Sequence, residues 1–219
     1  MGSTREEYEP WLRDYFRKRY PELESALLEA IDAFDATKEL DRINSEQLRP
    51  IVQAASSSRC PLYENTTGLL GQLSVKHEEA RKAIEAMATD AQSHIRFNAI
   101  LCLGKSTPPD FTLRLIRQGL RDKSARVRLK ASDWAGRLRI REVVPELEEA
   151  LAREKNEKAK KTIEFDLGLL RDGYILEPLP DGPVSVTTFC RSGLSIRHVK
   201  KAELDTRGLK SILGELASQ

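Results

Sequence analysis

The sequence predicts a mainly α-helical protein, an α-α superhelix of stacked helical hairpins, with a small α+β extension at its C-terminal end. Three glycines, Gly104, Gly136 and Gly168, stand 32 residues apart, and each closes a helix-like run. A self-similar period of about 20 to 50 residues is typical of stacked-repeat proteins. Residues 174–219 lack this period and are rich in β-formers, which indicates the extension.

A pair of opposite charges precedes each glycine. An acid comes six positions before a base in three pairs, Asp90 and Arg96, Asp122 and Arg128, and Glu154 and Lys160. The acid falls in the turn before a helix, near the positive helix end where a carboxylate is favoured. We expect stacked copies to place each carboxylate beside its own or a neighbour's base. We call these six residues the polar ladder, and their recurrence in each copy favours a structural role.

Residues 1–44 are predicted to form two capping helices. Aromatic and aliphatic side chains follow helical spacing in the first helix, at Tyr8, Trp11, Leu12, Tyr15 and Phe16. Pro21 opens the second helix. Packing of this aromatic stripe on the neighbouring helices is the simpler interpretation, and an aromatic face that binds a partner is the alternative.

Residues 45–76 predict a less regular stretch. Ser45 is placed to cap a helix, and Pro50 to kink it. Residues 56–61 have the composition of a loop. The next helix, predicted over residues 63–73, contains Gly71, which lies 33 residues before Gly104 and marks a degraded earlier copy of the repeat.

The clearest repeats span residues 78–172. Short connections separate helices predicted over 77–89, 93–105, 111–121, 124–139, 141–153 and 157–171. Short connections between helices of this length predict antiparallel hairpins that stack side by side. Residues 1–173 are therefore predicted to form one helical array.

Residues 174–219 are predicted to form a three-stranded meander followed by a terminal helix. The strands are expected over 174–179, 184–190 and 194–200, with a turn at Pro180-Asp181-Gly182-Pro183. The final helix is expected from about Thr206. This extension either caps the array or is a second binding module.

The repeat resembles the HEAT family, including the short form seen in phycobilin lyase subunits. The matching residues are Asp122, Val127, Arg128, Ala131, Gly136 and Leu138, then Asp90, Ile95, Arg96, Ala99 and Gly104 in the preceding copy, and Val144-Pro145-Glu146-Leu147 at the start of the next unit. The third copy departs from the pattern at Ala159, Lys160 and Ile163. Residues 1–76 match loosely, and residues 174–219 do not match. The resemblance implies a HEAT-like α-solenoid, mostly a non-catalytic scaffold in this family.

The net charge of +2 hides a basic segment. Residues 111–141 hold ten basic side chains against Asp122 and Asp133, a net charge of +8. In HEAT-like arrays the second helix of each pair lines the concave surface, and Asn98 stands at one such position. This implies a basic groove, formed by His94, Lys105, Arg126, Lys130, Arg137 and Lys158. A solvated charged face is the alternative.

The predicted function is a non-catalytic scaffold that uses the basic groove to bind an acidic protein partner. A nucleic-acid-binding module with the same groove is the alternative, and a DNA glycosylase that uses Asp133-Trp134 or a chromophore-lyase subunit is less favoured. No catalytic motif is found. The histidines are isolated and the three cysteines form no ligand pair, so no cofactor or metal is expected.

Composition places the chain among soluble proteins of a reducing compartment, most simply the cytoplasm. The mean hydropathy is −0.48. No run approaches the 18 or so apolar residues of a membrane span, and the first ten residues lack the apolar core of a signal peptide. An odd, scattered set of cysteines favours reducing conditions. The sequence leaves the oligomeric state and the identity of the partner open.

Overall fold

The computed structural model describes residues 5–180, 182–191 and 193–218, with side chains from Pro10 onward. Within these residues the chain forms twelve α-helices, one short 3-10 helix and one three-stranded sheet, which confirms the mainly helical prediction. Tyr8 of the predicted aromatic stripe and Asp181 of the predicted turn lie outside the described side chains. The chain divides into two compact units, Met1–Leu115 and Ile116–Gln219, called here the N-terminal and C-terminal units.

The N-terminal unit is entirely helical in its described part. Its helices are α1 (Arg5–Arg19), α2 (Pro21–Thr37), α3 (Ser45–Ala55), α4 (Cys60–Lys76), α5 (Glu78–Ala88) and α6 (Ser93–Leu101). Helix α7 (Pro109–Leu120) begins in this unit and ends in the next. Helix α2 packs against α3 and α4, and α5 packs against α6. Buried aliphatic side chains from successive helices, such as Leu27, Ile51 and Ile84, form its core.

Two sequence-based details in the N-terminal unit are wrong. Asn44, rather than Ser45, caps α3: its side chain accepts a hydrogen bond from the Gln47 N–H, and the Gln47 side chain accepts one from the Asn44 N–H. This reciprocal pair satisfies two backbone donors at once. Helix α4 begins at Cys60, three residues before its predicted start, with Pro61 in its first turn.

The aromatic stripe of α1 has two sides. Phe16 and Leu12 are buried, as packing against neighbouring helices requires. Trp11 and Tyr15 stay exposed, at 59% and 36%, and their rings stack 5.6 Å apart. Packing on neighbouring helices, the simpler interpretation of the stripe, therefore applies to Leu12 and Phe16 but not to Trp11 and Tyr15.

The helical part of the C-terminal unit begins with α8 (Ala125–Leu138). A 3-10 turn (Arg141–Val143), α9 (Val144–Arg153) and α10 (Glu157–Arg171) follow. Arg139 ends α8 in the left-handed conformation, with φ of 57°. Helix α10 packs against both α8 and α9.

The C-terminal extension contains the predicted meander. Strands β1 (Tyr174–Pro178), β2 (Pro183–Cys190) and β3 (Gly193–Lys200) pair antiparallel in the order β1-β2-β3. The terminal helix predicted from about Thr206 is α12 (Leu209–Ala217). A further helix that the sequence did not predict, α11 (Lys201–Arg207), precedes it, and Gly208 with φ of 75° separates the two. One core cluster joins the sheet to α12 and consists of Val186, Val199, Ile212 and Leu216.

Candidate functional site

The first two acid–base pairs of the polar ladder share one local geometry. Asp90 Oδ1 accepts the Gln92 N–H at 2.7 Å, and Arg96 Nη1 donates to the Asp90 carbonyl at 2.8 Å. Asp122 Oδ1 likewise accepts the Ser124 N–H at 2.7 Å, and Arg128 donates to the Asp122 carbonyl at 2.8 Å. The aspartate shapes the turn and the arginine folds back onto it. The six-residue spacing is therefore the reach of an arginine over the turn that precedes its own helix.

Arg128 also bridges to the next copy of the repeat. Its Nε and Nη2 donate to the two carboxylate oxygens of Glu154 at 2.6 and 2.7 Å. Glu154 Oε1 in addition accepts the N–H groups of Lys155 and Asn156, so this carboxylate shapes the turn before α10. The hydrogen bonds from Arg128 are the main cause that lowers the pKa of Glu154. Lys160, the predicted partner within the copy, is exposed.

A second polar contact joins α8 to α10 further along the helices. Ser132 Oγ donates to Asp166 Oδ2 at 2.6 Å, and the Asp166 side chain is buried. Asp166 Oδ1 lies 2.5 Å from where a Cβ on Gly136 would be. A side chain at residue 136 would therefore displace the Asp166 carboxyl group. The pKa of Asp166 is raised to about 7, mainly by burial and also by the neighbouring Asp133, although the hydrogen bond from Ser132 lowers it.

The two contacts together define the direction of α8 relative to α10. Arg128, near the start of α8, contacts Glu154, just before α10. Ser132 and Gly136, further along α8, contact Asp166 in the second half of α10. The two helices therefore run side by side in the same direction, with their N-terminal ends adjacent.

The repeat glycines serve different purposes. Gly71 in α4 lies directly against the backbone carbonyl of Cys102, so its missing side chain allows close helix approach in the N-terminal unit. Cys102 and Asp166 hold the same position in their copies, two residues before the repeat glycine. Gly104, by contrast, follows α6, and a Cβ there would meet its nearest neighbour at an ordinary 3.8 Å.

The acids of the fold offset much of the basic charge in residues 111–141. At least six of the ten cations there bind carboxylates: Arg114 with Glu85, Arg117 and Arg121 with Glu146, Arg128 with Glu154, and Lys130 and Arg137 with Asp133. Arg139 stacks on the Phe189 ring at 4.7 Å and donates to the Gly193 carbonyl at 3.1 Å. The sequence therefore overstates the local positive charge.

The predicted groove residues have unequal surroundings. In the N-terminal unit His94 is half-buried and Lys105 is exposed. In the C-terminal unit Arg126 and Lys158 are exposed, in the first turns of α8 and α10. Lys130 lies against Asp133.

Asn98, at the repeat position of Lys130, is not a surface residue. Its side chain is buried and donates to the carbonyls of Ala55 and Ser57 at 2.8 and 2.9 Å. Asn98 and Lys130 therefore hold the same position in the repeat but differ in their exposure: Asn98 is buried, whereas Lys130 is partly exposed.

Asp133, the acid of the Asp133-Trp134 pair, is bound by two cations. Lys130 Nζ and Arg137 Nε donate to the two carboxylate oxygens of Asp133 at 2.9 and 2.8 Å. Burial alone would raise the pKa of Asp133, but these hydrogen bonds outweigh it and lower the pKa. The carboxylate is thus already held by two cations, and Trp134 is half-buried.

The described residues contain no group of three or more His, Cys, Asp and Glu side chains able to hold a metal ion. Nor does any helix among them have the length and apolar character to cross a membrane.

Sequence reasoning did not find the contact between Ser132 and Asp166. The one available signal was the position of Asp166, two residues before Gly168.

Comparison with models of known protein families finds no match to the chain, and neither does comparison with curated protein sequences. The HEAT-like resemblance therefore stays a prediction drawn from the repeat residues.

Proposed function

We propose that the chain is a non-catalytic scaffold of the HEAT-like, α-solenoid type that binds an acidic protein partner through basic residues on its second helices. The observation that carries the proposal is the pair of adjacent N-terminal ends of α8 and α10, which present exposed cations. Arg126 and Lys158 lie in the two first turns, and their exposed neighbours are Lys123, Lys155 and Lys161.

Helix stability does not explain cations at these positions. The N-terminal end of a helix carries partial positive charge, so a lysine or arginine in the first turn is disfavoured, typically by about 0.3–1 kcal/mol. The same arrangement favours an anionic ligand, which gains from the side chains and from the helix ends together. Asp122 accepts the Ser124 N–H within its own turn, and Glu154 binds Arg128. Glu157, which is exposed, is the one acid within the first turn of α10.

The HEAT-like part of the proposal is supported by what recurs. The turn geometry of Asp90 and Arg96 reappears at Asp122 and Arg128. A glycine allows a close contact with the second helix of the next copy at Gly71, which meets the Cys102 carbonyl, and again at Gly136, which meets the Asp166 carboxyl group. Such recurrence is expected where each repeat packs mainly on its neighbours.

Binding of a fluorescent decaglutamate peptide, followed by anisotropy at about 50 mM and 200 mM salt, tests the proposal. We expect the Arg126→Glu/Lys158→Glu double variant to bind at least about tenfold more weakly, because attraction becomes repulsion. Arg42→Glu/Lys210→Glu is the matched control. It changes the net charge equally, at two exposed residues outside α8 and α10. An equal loss in both variants would show a general charge effect and contradict a site at these helix ends.

The same assay with a 20-base-pair duplex addresses the nucleic-acid alternative. Duplex binding with a steep salt dependence, removed by the double variant, would identify the surface as a phosphate-backbone site. The absence of binding by both probes at low salt would refute an anion-binding role for these helix ends.

A further inference from the structure

The two edges of the C-terminal sheet differ in their protection. Strand β1 has five residues and contains Glu177 and Pro178, the second of which has no N–H to offer. Strand β3 has eight residues and no proline. Its Leu194 and Ile196 are 48% and 62% exposed. Natural sheets usually blunt an edge with proline, charge or short length, since an open apolar edge invites another strand.

The side chains of β3 separate cleanly onto two faces. Leu194, Ile196, His198 and Lys200 alternate along one face and are exposed. On the opposite face Val199 belongs to the core cluster with α12. Arg197, also on that face, binds Glu203 and Glu215, each at 2.9 Å. Helix α12 packs on this second face. On the face of Leu194 and Ile196, helix α10 contacts β1 and β2, with Ile175 against Gly168, and leaves Leu194 and Ile196 of β3 exposed.

The backbone of β3 is paired on one side. Within the described sheet β3 bonds to β2, so every second residue directs its N–H and C=O away from β2. The part of the chain that the structure describes supplies no backbone partner for these outward groups. Arg139 binds the Gly193 carbonyl at the hairpin end. The outward groups from Leu194 onward thus offer a row of donors and acceptors to an added strand.

We propose that the β3 edge binds an extended segment of an acidic partner protein, which adds to the sheet as a fourth, antiparallel strand. Strand addition supplies affinity through the backbone and specificity through alternate side chains. Along the segment, two acidic residues at alternate positions face Lys200 and His198, and two apolar residues at the next alternate positions cover Ile196 and Leu194. The bound sequence therefore reads acidic–x–acidic–x–apolar–x–apolar.

The charges around β3 favour this occupant over a second copy of the chain. Arg191, Lys200 and Lys201 are all exposed at the strand or its ends. Two β3 strands would bring these cations together, and like charges across strands are destabilising. An acidic segment is attracted by the same groups. This surface is separate in sequence from the proposed site on α8 and α10, so each can fail without the other.

A labelled heptapeptide, Glu-Thr-Glu-Thr-Val-Thr-Val with blocked ends, tests the proposal by fluorescence anisotropy with the full chain. We expect Ile196→Asp to weaken binding at least about tenfold by placing a charge in the apolar contact. Leu176→Asp, at an exposed residue of β1 on the opposite edge, is the matched control and should bind as the wild type does. Peptide addition should also slow amide hydrogen exchange in β3 but not in β1.

Four results would overturn the proposal. They are no binding at about 1 mM peptide, equal binding of a peptide with lysine in place of glutamate, equal loss in Leu176→Asp, and a wild-type dimer that Ile196→Asp dissociates. The last result, measured by sedimentation equilibrium, would identify a second copy as the occupant. Circular dichroism of each variant excludes loss of fold as the cause.

Discussion

Arg128 and Arg197 both bind glutamates in the C-terminal unit, but in different surroundings. The side chains of Arg128 and Glu154 are 15% and 0% exposed, whereas Arg197 and its partner Glu215 are 35% and 46% exposed. Removing one member of a buried ion pair strongly destabilises the fold, since the other member is left as an uncompensated buried charge. An exposed pair is screened by water and salt, so it contributes little to the stability of the fold.

The comparison shows that the two regions depend on different interactions. In the helical region, polar contacts bring α8 and α10 together at Arg128–Glu154 and at Ser132–Asp166. In the extension, an apolar cluster that includes Val186 and Ile212 joins the sheet to α12, and the ion pairs lie outside it. Variants of the polar groups should therefore matter in the first region and not in the second.

The largest effect is expected for Arg128→Ala. The substitution leaves the Glu154 carboxylate buried without its cation, which costs about 3–5 kcal/mol in comparable cases. Urea unfolding followed by circular dichroism measures the change. Replacing both partners, as Arg128→Met/Glu154→Met, removes the buried charge and should cost less. A larger loss of unfolding free energy in the double variant than in Arg128→Ala would contradict the assignment of Arg128 and Glu154 as a buried ion pair.

Asp166→Asn should stabilise the protein in a pH-dependent way. The folded-state pKa of Asp166, about 7, lies above the ordinary 3.8. Its contribution to stability is therefore fully present below about pH 4 and is lost as the pH rises through 7. Asparagine does not titrate, so the variant should exceed the wild type by about 2–4 kcal/mol at pH 8 and match it near pH 4. Unfolding curves at both pH values measure this, and a pH-independent difference would refute it.

Gly136→Ala should destabilise the contact between α8 and α10. The added methyl group would meet the Asp166 carboxyl at 2.5 Å, and overpacking of this kind costs about 1–3 kcal/mol. Gly68→Ala in α4 is the control, because nothing lies within 4 Å of its added Cβ. Alanine there should stabilise its helix by about 0.5–1 kcal/mol. Thermal unfolding of both variants gives the comparison, and equal shifts would contradict it.

The smallest effect is expected for Glu215→Gln. Its partners Arg197 and Arg207 are partly exposed, and Arg197 keeps Glu203 as a second carboxylate. We expect no measurable change in the unfolding midpoint at physiological salt. A loss comparable to that of Arg128→Ala would show that the ion pairs of the extension are as important as the buried pair.

The mainly helical fold and the meander could be predicted because their signals are local. Helical spacing, Pro21 in a first turn and the β-formers between turns act within a few residues. The same local signals misplaced the cap of α3, since the neighbouring candidates Asn44 and Ser45 compete at one boundary, and they missed the short helix α11.

The candidate site was predicted less well. Arg126 and Lys158 are exposed as expected, but Lys130 and Arg137 bind Asp133. Helical spacing places these cations on one side of α8 and suggests that Asp133 pairs with one of them. Spacing along the chain does not identify Glu154 as the partner of Arg128, because Glu154 lies 26 residues away and the sequence offers several acids.

The sequence by itself determined most of the helices and the three strands to within a few residues, and that an acid and a base recur before each repeat glycine. Hydrogen bonding along a helix and the spacing of apolar residues act over one or two turns, so their signals can be recognised in the sequence. Only the tertiary structure decided that Gly136 accommodates the carboxyl of Asp166 and that Arg128 binds Glu154. These contacts join residues 26 or more positions apart and arise from how α8 packs on α10, which no local pattern encodes.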